Sequence, residues 1–439
     1  MRASIELLRY ERRARVFLLA LLQSGLGTGA GYVALLLVAE DRFASPWAIS
    51  LVLIADLVPA MLLGPVFGAA ADRWSRKRCA IVADVLRVAA FAGIAAIDSF
   101  AATLAFAGLA GVGTGLFRPA TLAALPSVVD DPRRTPAATS LYGAVDDLGY
   151  IAGPAVAAPV LLFGGPETLV LFNACTFAIS ALLLVPLRFG AAPAQRVELP
   201  PASLLADARD GLRATAGMRG IRIVLLASSA VLFCAGLFNI AELFFARDHL
   251  GTTDAGFAVL VALFGGGFIC GSLAGARGGD GPSLKRRYLL GMVVFGGGFA
   301  AIGVTGSLAV GLVTFAVAGF GNGLVLVYER LLILATVDDA LAGRVFGIKD
   351  TLSAWAFGVA FVAAGAALEL LSARELILIA GGVGVVAFAI SAVALRGEWT
   401  EPGPPDSGGD LPLAGAAARA RPAPGSIAPP PAPPGGTWR

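Results

Sequence analysis

Twelve apolar segments, each close to the roughly 20 helical residues that cross a bilayer core of about 30 Å, occupy most of this 439-residue chain. They run approximately over 16–38, 48–71, 79–97, 99–120, 139–162, 168–187, 222–245, 255–276, 288–306, 308–330, 346–369 and 375–395. Only 14% of the residues are charged, against about a quarter in soluble proteins, so the chain reads as an all-α integral membrane protein. The first segment follows Arg9, Arg12, Arg13 and Arg15 but is too long for the apolar region of a signal peptide, and reads as a retained span. Cys79, Cys175, Cys234 and Cys270 lie in or beside apolar segments with no CxxC or Cys/His grouping. They imply neither a disulfide framework nor a metal site.

The connecting segments test this count. Of 33 Lys and Arg, 29 fall in the amino-terminal segment, in the even-numbered loops or the span ends bordering them, and in the tail; the odd-numbered loops hold Arg42, Arg247 and Arg374, and Arg87 lies inside the third span. The positive-inside rule then predicts both termini on the cytoplasmic side of the cell membrane. Residues 188–221 divide the spans into six and six, with an amphipathic stretch suited to the membrane interface. The predicted organisation is a first six-helix bundle (1–187), this linker, a second bundle (222–396) and a Pro/Gly-rich tail (397–439) expected to be disordered.

An internal repeat is visible at the second loop of each half, DRWSRKR at 72–78 and ARGGDGPSLKRR at 276–287, each preceded by glycines four apart. Those stripes are Gly64 and Gly68 in one half and Gly267, Gly271 and Gly275 in the other; the fifth span carries Gly149, Gly153 and Ala157, with Pro154 beside them. Small residues at this spacing let helix backbones approach closely. Ordinary helix packing explains any one stripe, while two stripes in the fifth and eighth spans suggest a sliding contact between those spans.

Charges inside spans cost about 2.5–3.5 kcal/mol on insertion scales, so each needs a reason. Asp56 falls near mid-bilayer and reads either as a protonatable or cation-binding carboxylate or as a partner of Arg87 or Arg118. Asp146 and Asp147 are adjacent acids in the fifth span and candidates for proton coupling, a salt bridge or a wet vestibule. Asp84 and Arg87, three apart, read as a structural ion pair. Glu242 is a further candidate for coupling or substrate binding, though near the outer end of its span it could snorkel to the interface beside Asn239. Glu329 and Arg330 close the tenth span and, with Arg344, are candidates for a cytoplasmic gate. Phe238, Phe244, Phe264 and Phe357 fall where a central cavity would be lined, a setting suited to amphipathic or cationic organic molecules.

GPVFGAAADRWSRKR at 64–78 resembles the signature between spans 2 and 3 of the major facilitator superfamily, with Ser75 where a glycine is usual. LGYIAGPAVAAP at 148–159 is similar to the fifth-span pattern of its proton-coupled exporters, with Ala157 and Ala158 for the closing glycines. ADVLR at 83–87, FRPATLAALPSVV at 117–129 and GRVFG at 343–347 resemble the branch holding macrolide efflux proteins and the enterobactin exporter. The resemblance implies two pseudo-symmetric bundles rocking about a midplane site and a secondary transporter, exporting small drug- or siderophore-like molecules in exchange for protons. It also implies a conformational latch at Gly68, Asp72, Arg73, Arg76 and Lys77, and an exporter motif at Gly149, Gly153 and Pro154.

Other classes find little support. There is no GxxxxGK[ST] for a nucleotide, no nucleophile and base pair, and His249 reads as a solvated loop residue beside Asp248. A non-enzymatic, cofactor-free and metal-free monomer with no nucleic-acid partner is expected, its partners being substrate, protons and lipid. An importer, or a non-transporting receptor or scaffold on the same fold, are the alternatives. By the family pattern Asp72 meets the amino-terminal end of the eleventh span, where a carboxylate is favoured by the helix dipole. Asp72→Ala should therefore lower transport severalfold at unchanged membrane insertion; undiminished flux would remove the latch.

Overall fold

Within hydrocarbon a backbone amide has no water to bond, so each apolar run must satisfy its own carbonyls as a helix. The computed structural model describes residues 2–187, 213, 215–276 and 281–399, with the side chains of Asp72 and Arg73 outside that description. Among the described residues all regular structure is helical. The first half comprises α1 (Arg2–Tyr10), α2 (Arg12–Phe43), α3 (Pro46–Leu62), α4 (Gly64–Arg73), α5 (Arg76–Ala96), α6 (Phe100–Val128), α7 (Thr135–Phe163) and α8 (Pro166–Leu184). The second comprises α9 (Arg219–Phe244), α10 (Asp254–Gly275), α11 (Gly281–Val304), α12 (Leu308–Thr336), α13 (Asp339–Ala367) and α14 (Ala373–Ala394). Eleven of these helices are long and apolar enough to cross a bilayer.

The second span is interrupted. The expected continuous helix over 48–71 breaks at Leu63, whose amide still reaches the Pro59 carbonyl at 3.0 Å before α4 starts. Pro65, in the first turn of α4, has no amide to carry the ladder through. Proline also opens α3 and α8, at Pro46 and Pro166, where a missing amide costs nothing. Ser372 and Glu375 form a reciprocal capping box at the start of α14. Helix α1 was not foreseen; Leu7 on it is fully buried against the first half.

Glycine sets how tightly the helices pack. A methyl at Gly29 of α2 would fall 2.0 Å from the Tyr150 carbonyl oxygen of α7, and one at Gly111 of α6 would fall 1.9 Å from that of Asp56 on α3. In the second half Gly267 and Gly271 of α10 meet the carbonyls of Ala316 and Phe320 on α12, which returns the contact through Gly319 against Phe264. These positions correct the expectation of a stripe-to-stripe sliding contact. Gly149 and Gly153 of α7 face Gly25, Gly29 and Ala30 of α2, inside their own half, and the α10 stripe faces α12. Helices α7 and α10 do meet, but through a different face, with Ile151 against Gly265.

The basic residues after α4 have a structural role beyond topology. Arg76 donates to the Ala123 carbonyl at 2.7 Å, near the end of α6, and Lys77 donates to the Val185 carbonyl at the end of α8. Lys77, at a helix carboxyl terminus, satisfies an open carbonyl and opposes the dipole, while the Ala123 carbonyl lies five residues inside α6. Lys285 repeats the arrangement in the second half, reaching the carbonyls of Leu395 and Glu398 beyond α14. Trp399 then packs over Gly220 and Gly281 and donates to Thr336 Oγ1 at 3.1 Å. The segment expected to be disordered from 397 onward is thus docked through 399; residues 400–439 and most of the 188–221 linker lie outside the described residues.

Between the halves the main helix contacts are α7 with α10 and α3 with α13. The second lies toward the face poor in cations, where Ser50 and Trp47 abut Gly365. Toward the opposite, basic face, a methyl at Gly68, Gly143, Gly343 or Gly347 would meet nothing within 4 Å. Gly29→Ala should lower thermal stability in detergent by about 1–3 kcal/mol through overpacking, while Gly143→Ala should be neutral or slightly stabilising. Equal melting temperatures for the two variants would refute this account of helix spacing.

Candidate functional site

Among the described residues the main helix contacts between the halves leave a cavity of about 480 Å³ between them. Its mouth carries Arg118 and Asp147, both exposed, with Asp146 paired to Arg118 at 3.7 Å. Its walls are largely apolar and aromatic, with Phe264 and Phe268 from α10, Phe357 from α13 and Tyr150 from α7. Its deepest residues are Tyr32 on α2 and Asn239 and Glu242 on α9.

Beside the cavity a buried ion pair stiffens the first half. Arg87 donates to Asp84 Oδ1 at 2.5 Å, and Ser180 of α8 donates to Asp84 Oδ2 at 2.8 Å. The Arg87 guanidinium lies between the rings of Phe117 and Phe177, at 4.4 and 4.3 Å, a stacking geometry that suits its planar charge. Arg87 is 1% exposed and its Nε has no hydrogen-bond partner. Removing either partner of such a pair typically costs about 3–5 kcal/mol because the other charge is left buried.

At the end of the cavity the two halves are tied by side chains. The Tyr32 hydroxyl donates to Glu242 Oε1 at 2.7 Å, with the Asn239 carbonyl oxygen 3.2 Å away. Five residues on, about 7.5 Å along the helix, Arg247 meets acids from both halves. It bonds Glu40, pairs with Asp41 at 2.9 Å, and reaches Asp254 of its own half at 2.6 Å. A π-helical turn over Phe245–His249 carries Arg247. His249 in the same turn is not simply solvated: its Nε2 lies 3.0 Å from the Thr305 carbonyl and its ring 5.0 Å from that of Phe245.

The structure brings some candidates together and separates others. Asp146, Asp147, Arg87 and Glu242 line the cavity, as does Pro154, whereas Asp56 does not. Asp56 is half-buried where α3 packs on Gly111, and forms no ion pair among the described residues. Glu242 is 3% exposed, which corrects the snorkelling alternative. Glu329, proposed with Arg330 and Arg344 for a cytoplasmic gate, is 2% exposed inside the second half, with one carboxylate oxygen unpartnered. Phe264 and Phe357 line the cavity, while Phe238 is buried against Phe299, ring centres 4.4 Å apart, and Phe244 lies elsewhere. The side chains of Asp72 and Arg73, central to the expected latch, are outside the described residues.

The cluster at Arg247 was not anticipated, although the sequence carries its signal. Setting residues 15–43 over 222–250 aligns Arg15 with Arg222, Ala20 with Ala227, Gly29 with Gly236, Ala34 with Ala241 and Ala39 with Ala246. Glu40 then falls on Arg247 and Tyr32 on Asn239, and these are pairs the structure joins. Residues equivalent in two halves related by an axis along the membrane normal meet where helices flank that axis.

A sequence model of the Major Facilitator Superfamily matches residues 16–348. The multidrug efflux pump Tap of Mycolicibacterium fortuitum is 28% identical over 363 residues, spanning 80% of this chain and 88% of that protein. The MFS-type transporter YfiS of Bacillus subtilis, itself uncharacterized, is 24% identical over 366 residues, spanning 82% and 87%. Among solved structures, the nucleoside transporter NupG superposes with a TM-score of 0.71 at 13% identity, covering 88% of this chain and 99% of NupG. A bacterial homolog of the lysosomal transporter Spinster, inward-facing and unoccupied, gives 0.70 at 14% identity, covering 88% and 98%.

Arg247→Ala leaves Glu40 and Asp41 without their cross-half cation. In a background lacking Cys79, Cys175, Cys234 and Cys270, it should raise maleimide labelling of Ser50→Cys from the cation-poor side about fivefold, the shift expected from ~1 kcal/mol. The exchange of Glu40→Arg with Arg247→Glu should restore slow labelling. Identical labelling in all three proteins would show that the cluster does not hold the halves together.

Proposed function

Because the chain belongs to the Major Facilitator Superfamily, and is therefore a non-enzymatic membrane transporter, we propose that it is a secondary exporter of small amphipathic organic molecules. In this reading it works in the cytoplasmic membrane as a monomer, exchanges cargo for protons and has both termini inside. The basic face is then cytoplasmic and the conformation described is inward-facing. The observation that carries the proposal is an apolar, aromatic cavity with carboxylates at its mouth and end, open at the basic face and closed at the other.

Alternating access follows from where the contacts lie. With the basic face open, cargo enters past Arg118 and Asp147 and lodges among Phe264, Phe268 and Phe357. Rocking the halves breaks the Tyr32–Glu242 and Arg247–Glu40 links and brings the ends of α4 and α13 together, where Asp72 would act as the latch. Asp146 and Asp147 sit on the solvent path and are the proposed carriers of the coupling proton, with Asp56 as a third candidate away from the cavity.

Export is favoured over import by the fifth-span pattern around Gly149, Gly153 and Pro154 and by relatives named as efflux pumps. The nucleoside transporter among the structural neighbours shares the fold alone at 13% identity. Inside-out vesicles under an imposed pH gradient provide the test, with macrolide, tetracycline, siderophore and dye cargoes. At least one cargo should accumulate when protons can exchange, and Asp146→Asn or Asp147→Asn should cut that gradient-driven component about tenfold. If gradient dependence survives in Asp56→Asn, Asp146→Asn and Asp147→Asn alike, proton coupling through these acids is wrong.

A further inference from the structure

Glu242 is an unusual carboxylate for its surroundings. It is 3% exposed, lies at the end of the cavity and forms no ion pair among the described residues. The other charges lining the cavity are partly balanced, Arg87 by Asp84 and Arg118 by Asp146. The polar contact to the Glu242 carboxylate is the Tyr32 hydroxyl at 2.7 Å. Buried carboxylates are usually paired with a cation or well supplied with donors, and one neutral phenol from the other half supplies neither a charge nor a full set of hydrogen bonds.

Rings lining the same cavity supply the rest of a cation site. Phe264 and Phe357 line the same cavity as Glu242 and Tyr32, and aromatic faces attract organic cations, the more so when water is excluded. The same carboxylate therefore has two uses. It accepts the hydrogen bond that joins α2 to α9 across the halves, and it is the uncompensated anion that a positively charged ligand entering from the basic face would meet last.

Resting on the reading of this protein as an exporter, we propose that Glu242 binds the charged group of organic-cation cargo in competition with Tyr32. Tyr32 is then a positioning residue that reports occupancy to the closed face. A cation on Glu242 turns the carboxylate away from the phenol and weakens the first cross-half link beyond the cavity, leaving Tyr32 only the longer contact to the Asn239 carbonyl at 3.2 Å. The Arg247 cluster, about 7.5 Å further along α9, and the packing of α3 on α13 then hold the cation-poor face shut. A neutral molecule of the same size fills the cavity without disturbing the link. Cargo charge is thereby coupled to opening, because an effector shifts a two-state element only through interactions that differ between the states.

Two near-isosteric variants separate the roles. Tyr32→Phe keeps the ring and removes the donor; Glu242→Gln keeps an acceptor for Tyr32 and removes the charge. The full chain, without its native cysteines and with Ser50→Cys as reporter, is reconstituted in nanodiscs. Ethidium and tetraphenylphosphonium serve as cations, and a neutral aromatic of similar size as control. In the otherwise unaltered protein both cations, but not the neutral control, should speed maleimide labelling. Tyr32→Phe should label severalfold faster without ligand, gain little from ethidium and bind it more tightly. Glu242→Gln should label slowly throughout and bind ethidium roughly tenfold more weakly.

Tyr32→Phe with unaltered ligand-free labelling and ethidium affinity would overturn the link. Undiminished ethidium binding in Glu242→Gln would overturn the cation site. If neither cation binds the reporter protein while a neutral compound is still exported by vesicles, the cargo class fails and the export reading survives. If no compound of any charge is transported but Tyr32→Phe still opens the far face, the export reading fails and the cross-half link stands.

Discussion

The two halves of this protein are held within themselves by backbone and to each other mostly by side chains. Inside a half, glycines bring carbonyls to distances at which an added methyl would sit 1.9–2.1 Å from an oxygen, as at Gly111, Gly319 and Gly271. Lipid offers no hydrophobic driving force between helices, so such close packing is what makes each half a solid body. Across the interface a methyl at Gly265 would come no nearer to backbone than 3.2 Å, at the Ile151 carbonyl oxygen, and the methyl at Gly365 would meet the Ser50 and Trp47 side chains. Contacts made by side-chain tips can part without disturbing a helix. The alternating access proposed for this protein needs this contrast between rigid halves and a separable seam.

Electrostatics divide along the same line. Arg87, Asp84 and Ser180 form a buried set wholly within the first half, and its strength serves rigidity because it never has to break. Arg76, Lys77 and Lys285 likewise bond helices of their own half. Among the described residues, polar groups that cross the seam include Tyr32 with Glu242 and Asn239, and Arg247 with Glu40 and Asp41. The Arg247 cluster is partly exposed, so water can re-solvate its members as they separate and the cost of opening stays modest.

Much of the architecture was legible because a bilayer imposes one long period on sequence. Apolar length gave the spans, and the sorting of cations gave their alternation. What stayed hidden depends on which face of a helix meets which neighbour. The stripe at Gly149 and Gly153 announced a close contact but carried no address, and its partner proved to be α2 instead of α10. Glu242 looked near a membrane interface because depth was judged from position along the helix alone; the cavity reaches past it and Tyr32 covers it. Asp56 looked central by depth, yet rotation of α3 directs its backbone against Gly111 and keeps it out of the cavity lining. The break before α4 was written in Gly64-Pro65, a local signal masked by the continuous hydrophobicity around it.

Pseudo-symmetry explains why the far-face cluster has the composition it does. An axis along the membrane normal sets equivalent positions of α2 and α9 opposite one another, so two halves of identical sequence would confront like with like at every level. Apolar pairs tolerate that, and residues such as Ala34 and Ala241 or Ala39 and Ala246 are indeed identical at equivalent places. A charge cannot be repeated in this way, because two copies of Glu40 face to face would repel in a setting with little water to screen them. The halves must therefore differ at a position that closes by ion pairing, and they do: Glu40 in one is Arg247 in the other, while Asp41 and Asp248 remain alike beside them. With Glu40, Asp41 and Asp254 around a single guanidinium, the cluster keeps an excess of negative charge. Under the proposed alternating access, that excess would let the face close through Arg247 and leave acids exposed when it opens.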